Sequence, residues 1–364
     1  MRFLESEIKI TCIGDLMPSD TYYTLGQGIG SNIKNLTTIY SLPENKLFPD
    51  SDIIVCNLES PILKNSGDKK IPFGGRSGVI NLLKNMSISI VSVANNHILD
   101  HGPEVLRDTV KILTENRIGV IGIKKGNISA IYTVNIKSKR VALAAFNAIP
   151  DHPENTTIAP LERDILFNTL YEIKKQSPDF IIFSFHWGNE YVTFPSPSQV
   201  DIAHELINNG VNIIIGHHPH VVQPVEKYNG GVIIYSLGNF LFDMFWSEKV
   251  RNGMQVDLLL NDYKSVDYEI IPFRIETNFI QDYTKTKAVF SILGKAEKKM
   301  KALQDGPRED YEREYLRECK KMRREARIKM KLYLLKKIFS LSSQSRELLF
   351  RNIKLKSRLL WINN

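Results

Sequence analysis

Short apolar runs recur along the first two-thirds of the chain, and each stops at a polar residue. Residues 8–13 read IKITCI and stop at Gly14-Asp15. Residues 53–56 (IIVC) stop at Asn57-Leu58-Glu59, and residues 88–93 (ISIVSV) stop at Ala94-Asn95-Asn96-His97. Residues 141–146 (VALAAF) precede Asn147, and residues 180–185 (FIIFSF) precede His186. Residues 211–215 (VNIII) precede Gly216-His217-His218, and residues 232–235 (VIIY) precede Ser236-Leu237-Gly238-Asn239. Near-continuous apolar runs of this length predict strands buried on both faces. Helices are predicted between them. One covers 103–116, with Pro103 early and Gly119 just beyond. Others cover 162–176, stopped by Ser177-Pro178, and 199–209, stopped by Gly210. This strand, stop, helix rhythm predicts an α/β fold. Residues 261–292 alternate polar and apolar positions and are expected to complete the sheet. Residues 309–337 are charged and free of Gly and Pro, which predicts one long helix or a helical hairpin. The change of character places a boundary between a 1–294 core and a 295–364 basic helical extension.

Composition adds limits. The 364 residues suffice for a sizeable core, and 43% apolar with 24% charged residues excludes wholesale disorder. No stretch reaches the roughly 18–20 apolar residues of a membrane span. The first nine residues lack a signal-peptide pattern. The expected location is cytoplasmic, with peripheral membrane attachment as the alternative. Cys12, Cys56 and Cys319 are too few and too scattered for a disulfide framework or a thiolate zinc site. The net charge of +8 is uneven. Residues 295–364 hold 21 Lys+Arg against 9 Asp+Glu, a net of +12, which leaves −4 for residues 1–294. The basic character therefore belongs to the extension alone.

The residues at the strand ends carry the chemistry. Asp15, Asn57, Glu59, Asn95, Asn96, His97, His186, His217, His218, His220 and Asn239 all follow buried-type runs. In open α/β sheets these ends line the ligand crevice. A mixed oxygen and nitrogen set without thiolates suits Mn, Fe or Zn, and is the donor set of hydrolytic metal sites. Each residue also has a plainer reading. Asp15 after Gly14 suits a turn or helix cap. Glu59 before Ser60-Pro61 suits a solvated position, His186 a satisfied core histidine, and Asn95-Asn96 a tight turn. The cluster His217-His218-Pro219-His220 has no comparable plain reading.

Six ordered blocks carry a resemblance. They are Gly14-Asp15-Leu16-Met17, Asn57-Leu58-Glu59, Ala94-Asn95-Asn96-His97-x-x-Asp100-x-Gly102, His186-Trp187-Gly188-x-Glu190-Tyr191, Gly216-His217-His218-Pro219-His220-Val221-x-Gln223 and Ser236-Leu237-Gly238-Asn239-Phe240. Together they resemble the CapA family of capsule and poly-γ-glutamate synthesis proteins, itself similar to calcineurin-like metallophosphoesterases. The resemblance implies a two-sheet sandwich flanked by helices, with two divalent metals at the strand ends. It makes Asp15 a metal ligand and Glu59 a bridging or second-metal carboxylate. Asn96, His186 and the cluster His217, His218 and His220 are the further ligands it implies. His97 becomes the substrate-facing acid and Asp100 its orienting partner. Asn57, Asn95, Trp187, Glu190 and Asn239 are expected around the substrate. Two departures stand out. The phosphoesterase Asp-x-His block has Met17 at its third position, and Pro219 interrupts the last histidine block. The implied function is a metal-dependent hydrolase of a phosphoester or of an amide in a capsule-type polymer. The alternative is a non-catalytic assembly factor that docks through its tail.

Within that tail, residues 332–339 (LYLLKKIF) and 353–360 (IKLKSRLL) mix apolar and basic positions. They read as membrane-surface helices, or as helices packed on their own core or on a partner such as a synthase. Nucleic acid is not expected as a partner, since aromatic residues do not interleave with the charges.

Overall fold

The structure is a computed structural model. It describes residues 7–42, 47–48, 50–64, 72–76, 78–149, 157–261 and 265–340, with side chains to residue 337. Two sheets face each other. The first has eight strands, seven of them in the order Gln281–Asp282, Val266–Ile275, Asn252–Leu260, Ile8–Leu16, Ile53–Leu58, Ile90–Ser92 and Gly119–Ile121. The eighth, Asn239–Leu241, pairs with the far end of Ile8–Leu16. The second sheet runs Val225–Tyr228, Gly231–Ile234, Ile213–His217, Phe180–His186, Lys139–Asn147 and Tyr132–Ile136. The central strands of each sheet are parallel, so their carboxyl ends share one edge.

Side-chain alternation builds the layers. From Lys139–Asn147, Val141, Leu143 and Ala145 enter the core between the sheets. Ala142, Ala144 and Phe146 point the other way, under helices Arg163–Lys175 and Pro197–Asn208. Both faces are covered, which is why the sequence shows no polar alternation there. Each fully buried aliphatic or aromatic chain contributes about 1.5–3 kcal/mol. The third predicted helix, Pro103–Glu115, buries Leu106 and Leu113 on the first sheet. Helix Pro197–Asn208 begins two residues before its predicted start. Ser196 caps it, and Gln199 completes a capping box.

The region after residue 250 departs from expectation. Strand Asn252–Leu260 lies upstream of the segment expected to complete the sheet, and residues 287–304 are helical. In helix Lys287–Gln304 the buried residues are Val289, Leu293, Ala296 and Met300, a helical spacing that a strand reading overlooks. The boundary expected at 294/295 falls inside this helix. Residues 308–340 form one continuous helix, Arg308–Ser340, and not a hairpin. Its Tyr311, Tyr315, Cys319 and Met322 pack on Val192 and Phe194. Among the described residues no helix is long and apolar enough to cross a membrane. Residues 353–360 lie outside the described residues.

Candidate metal centre

Strand register assembles the site. In the first sheet Asp15 pairs with Asn57 on one side and Asn239 on the other. In the second sheet Asn147, His186 and His217 form a row across three neighbouring strands. A bulge sets the first row. Cys12 pairs with Val55 but Asp15 with Asn57, so Ile8–Leu16 holds one extra residue there. Such a bulge re-aims the side chain that follows it. Gly14 makes it possible, because a Cβ at that position would lie 2.0 Å from the Gly238 carbonyl oxygen. Gly216 has the same role in the second sheet, with the Tyr235 carbonyl oxygen at 2.0 Å. Beyond it the chain turns sharply. His218 and His220 adopt left-handed φ of 96° and 56°. Strain of about 1–3 kcal/mol at each is typical of a functional loop.

Asp15 is fully buried at the centre. Its Oδ1 accepts from Asn57 Nδ2 at 2.9 Å and lies 3.0 Å from His217 Nδ1. Its Oδ2 accepts from the His218 backbone N–H at 3.3 Å and lies 3.4 Å from His220 Nδ1. Asn57 Nδ2 also donates to Glu59 Oε1 at 3.0 Å, tying the two acids together. His186 Nδ1 is 3.9 Å from Glu59 Oε1. Its Nε2 lies 2.9 Å from Asn96 Oδ1 and 3.1 Å from His218 Nδ1. Asp15, Glu59 and His186 each offer a ligand atom, all within 4.8 Å of one another. Among the described residues no Lys or Arg pairs with either acid. Glu59 Oε2 and His217 Nε2 are buried without a hydrogen-bond partner.

Two carboxylates buried side by side are costly. Burial and the neighbouring Asp15 push the Glu59 carboxyl well above its usual range. Burial acts on Asp15 in the same sense, but His217 and His220 outweigh it and hold Asp15 well below. Burial lowers His186 well below its ordinary value and His218 to about 4, so both imidazoles are neutral. Burial also opposes charge on His220, yet Glu59 and Asp15 raise it to about 10. Neutral imidazoles beside carboxylates form a ligand set for a divalent cation. Asp15, Glu59 and His186 thus form a candidate metal site, and Asn96, His217, His218 and His220 lie against it.

The other predicted residues surround it. His97 Nδ1 is 2.9 Å from Asp100 Oδ2, and both are half-buried. Burial raises the Glu190 carboxyl, but His218 and His220 outweigh it and lower it overall. Asn239 Oδ1 meets His220 Nδ1 at 2.9 Å, so it orients a histidine. Asn95 braces the turn, donating to the Leu58 carbonyl and accepting from the His97 and Ile98 N–H groups. Trp187 is expected beside a substrate. Its indole is buried between Phe185 and Tyr235 and donates to the Tyr235 carbonyl. Alternate side chains of an extended segment point oppositely, so Trp187 turns away where His186 turns in. Met17, where the phosphoesterase block has His, is buried with its sulfur 3.1 Å from Ser19 Oγ. Sequence reasoning missed Phe73, whose ring stacks on His97 at 4.5 Å. The following Gly74-Gly75 marks a turn there but not its target. It also missed Arg323, which donates to Asn189 Oδ1 from the C-terminal helix.

Two facing sheets under outer helices, with acids, amides and imidazoles at their shared edge, define an α/β sandwich with a candidate metal site. The chain belongs to the family described as bacterial capsule synthesis protein PGA_cap, whose profile matches residues 9–244. It is 28% identical over 290 residues to the capsule biosynthesis protein CapA of Bacillus anthracis, covering 74% of this chain and 68% of that protein. It is 30% identical over 241 residues to the PGA biosynthesis protein CapA of Bacillus subtilis, covering 63% of each. Among solved structures, a phosphatase from Mycoplasma pneumoniae aligns with 80% of this chain and 100% of its own, at a TM-score of 0.49 and 14% identity.

Proposed function

We propose that this chain is a metal-dependent hydrolase of capsule or surface-polymer synthesis, acting on a phosphoester or amide bond. The observation that supports this most is the buried pair Asp15 and Glu59, ringed by imidazoles and, among the described residues, without a Lys or Arg partner. The donors fall into two groups about Glu59. Asp15, His217 and His220 would hold one divalent ion, and Asn96, His186 and His218 a second, of Mn, Fe or Zn type. Such ions, when bound, supply Lewis acidity and acidify water. The chain's own residues supply the rest. Asp100 holds His97 Nδ1, which leaves Nε2 as the atom that passes a proton to the leaving group. Phe73 limits rotation of that ring. Asn57 keeps both acids in place, and Asn239 orients His220. The relatives are proteins of capsule and PGA biosynthesis, which supports a polymer or a phosphorylated precursor as substrate.

The test is metal analysis of the purified chain with assays on a phosphodiester, a phosphomonoester and a γ-glutamyl amide, with and without chelator. One substrate should turn over, and chelation should abolish that turnover. His97→Ala should lower the rate by about 10²–10⁴-fold with unchanged metal content. Metal-free protein at full activity, or no metal taken up, contradicts the proposal.

Met17 favours a second reading, a non-catalytic assembly factor that keeps the fold and the cation. In that case His97→Ala leaves polymer synthesis intact, while loss of residues 309–364 abolishes it.

A further inference from the structure

Helix Arg308–Ser340 is apolar on two faces. One face is occupied, with Tyr311, Tyr315, Cys319, Met322 and Ala326 buried against the body of the protein. The other emerges in the last turns. Ile328, Leu332 and Leu335 are 50%, 54% and 54% exposed. Spacings of four and three residues place them on one stripe. At about 100° per residue the stripe lies roughly 130° around the helix from Met322 and Ala326. Among the described residues, packing leaves it uncovered.

Its surroundings indicate what covers it. Arg324, Arg327, Lys329, Lys331 and Lys336 are exposed around the stripe. Residues 320–337 hold nine Lys or Arg and one acid, Glu325. Aliphatic side chains flanked by long basic ones make a surface that lies in the headgroup zone of an anionic bilayer, leucines down and ammonium groups among the phosphates. A partner helix of basic surface would meet repulsion from the same charges. A nucleic acid would leave the three aliphatic side chains in water.

We propose that the outward Ile328–Leu332–Leu335 stripe, with its basic flanks, docks this protein on an anionic lipid surface. The inward side of the same helix reaches the rim of the metal centre. Arg323 donates to Asn189, next to Glu190, and Lys249 Nζ lies 3.5 Å from Met322 Sδ. Docking would set the rim about one helix diameter, roughly 10–12 Å, from the headgroups.

The test is flotation of the full chain with vesicles of phosphatidylcholine, alone or with roughly one-third phosphatidylglycerol. Binding should be at least tenfold stronger on the anionic vesicles and largely lost in about 1 M salt, where screening is short-ranged. Leu332→Ser with Leu335→Ser, and separately Lys331→Glu with Lys336→Glu, should each weaken it tenfold or more. All four positions are exposed, so circular dichroism and thermal melting should be unchanged. The proposal is overturned if wild-type protein ignores anionic vesicles, binds neutral ones equally, or binds as well without the leucines. It is equally overturned if the wild-type chain is a dimer that the leucine variant converts to monomer without any vesicle binding. Vesicle binding needs no turnover, so this result is independent of catalysis.

Discussion

A carboxylate buried beside a second acid is destabilising until a cation arrives, and Glu59, next to Asp15, is such a group. Its raised pKa means that the ionised form is penalised in the fold at neutral pH. Glu59→Gln should therefore raise the melting temperature of metal-free protein while reducing metal affinity by 100-fold or more. Parallel melts with and without Mn or Zn check both halves, and a variant that melts lower without metal would count against the reading. The histidines set the pH range. His218, lowered to about 4, is unprotonated in the fold while the unfolded chain binds a proton below about 6.5. Its contribution is present above about 6.5 and is lost as pH falls toward 4. His220, raised to about 10, acts oppositely. The fold keeps its proton above about 6.5, so its contribution is full below that value and is lost as pH rises toward 10. Metal-free protein should thus melt highest near neutrality and lower on both sides in a pH series of melts. Asp15, Glu59 and the histidines were legible because each directly ends an apolar run. The clamp of Asn57 on both acids and the ring of Phe73 under His97 were not, since they join residues far apart in sequence.

At the scale of elements, two glycines let strands approach closely enough to carry the ligands. Gly14→Ala places a methyl group where the Gly238 carbonyl oxygen stands. Either the bulge or the Asn239–Leu241 strand must move, at a cost of about 1–3 kcal/mol. We expect a lower melting temperature and loss of metal binding together. An alanine variant that binds metal as well as wild type would show that the bulge does not aim Asp15. The seven strands read from apolar runs all formed, because parallel strands covered on both faces leave an uninterrupted hydrophobic record. Strand Asn252–Leu260 did not stand out. It includes Asn252, Gln255 and Asp257, whose side chains are buried and held by Glu248, Thr11 and Lys9, among others. Polar residues satisfied by distant partners break the pattern that a reader of sequence relies on. Helix Lys287–Gln304 was hidden differently, since its first six residues fell within the 261–292 segment read as completing the sheet.

The whole molecule joins a sandwich that gathers ligands to a helix that runs past them. The tail's charge was legible from composition, but its two apolar faces were not, because only tertiary packing decides which one is covered. Metal should also act on the molecule as a whole. Binding to the folded state alone stabilises it by about 2.7 kcal/mol at a hundredfold excess over Kd. The most direct test of the account is diffraction from crystals grown with Mn, with anomalous maps recorded at its absorption edge. The account predicts peaks bounded by Asp15, Glu59 and His186, at metal–ligand distances of about 2.0–2.6 Å. No peak there, or a peak only at surface acids, would contradict it.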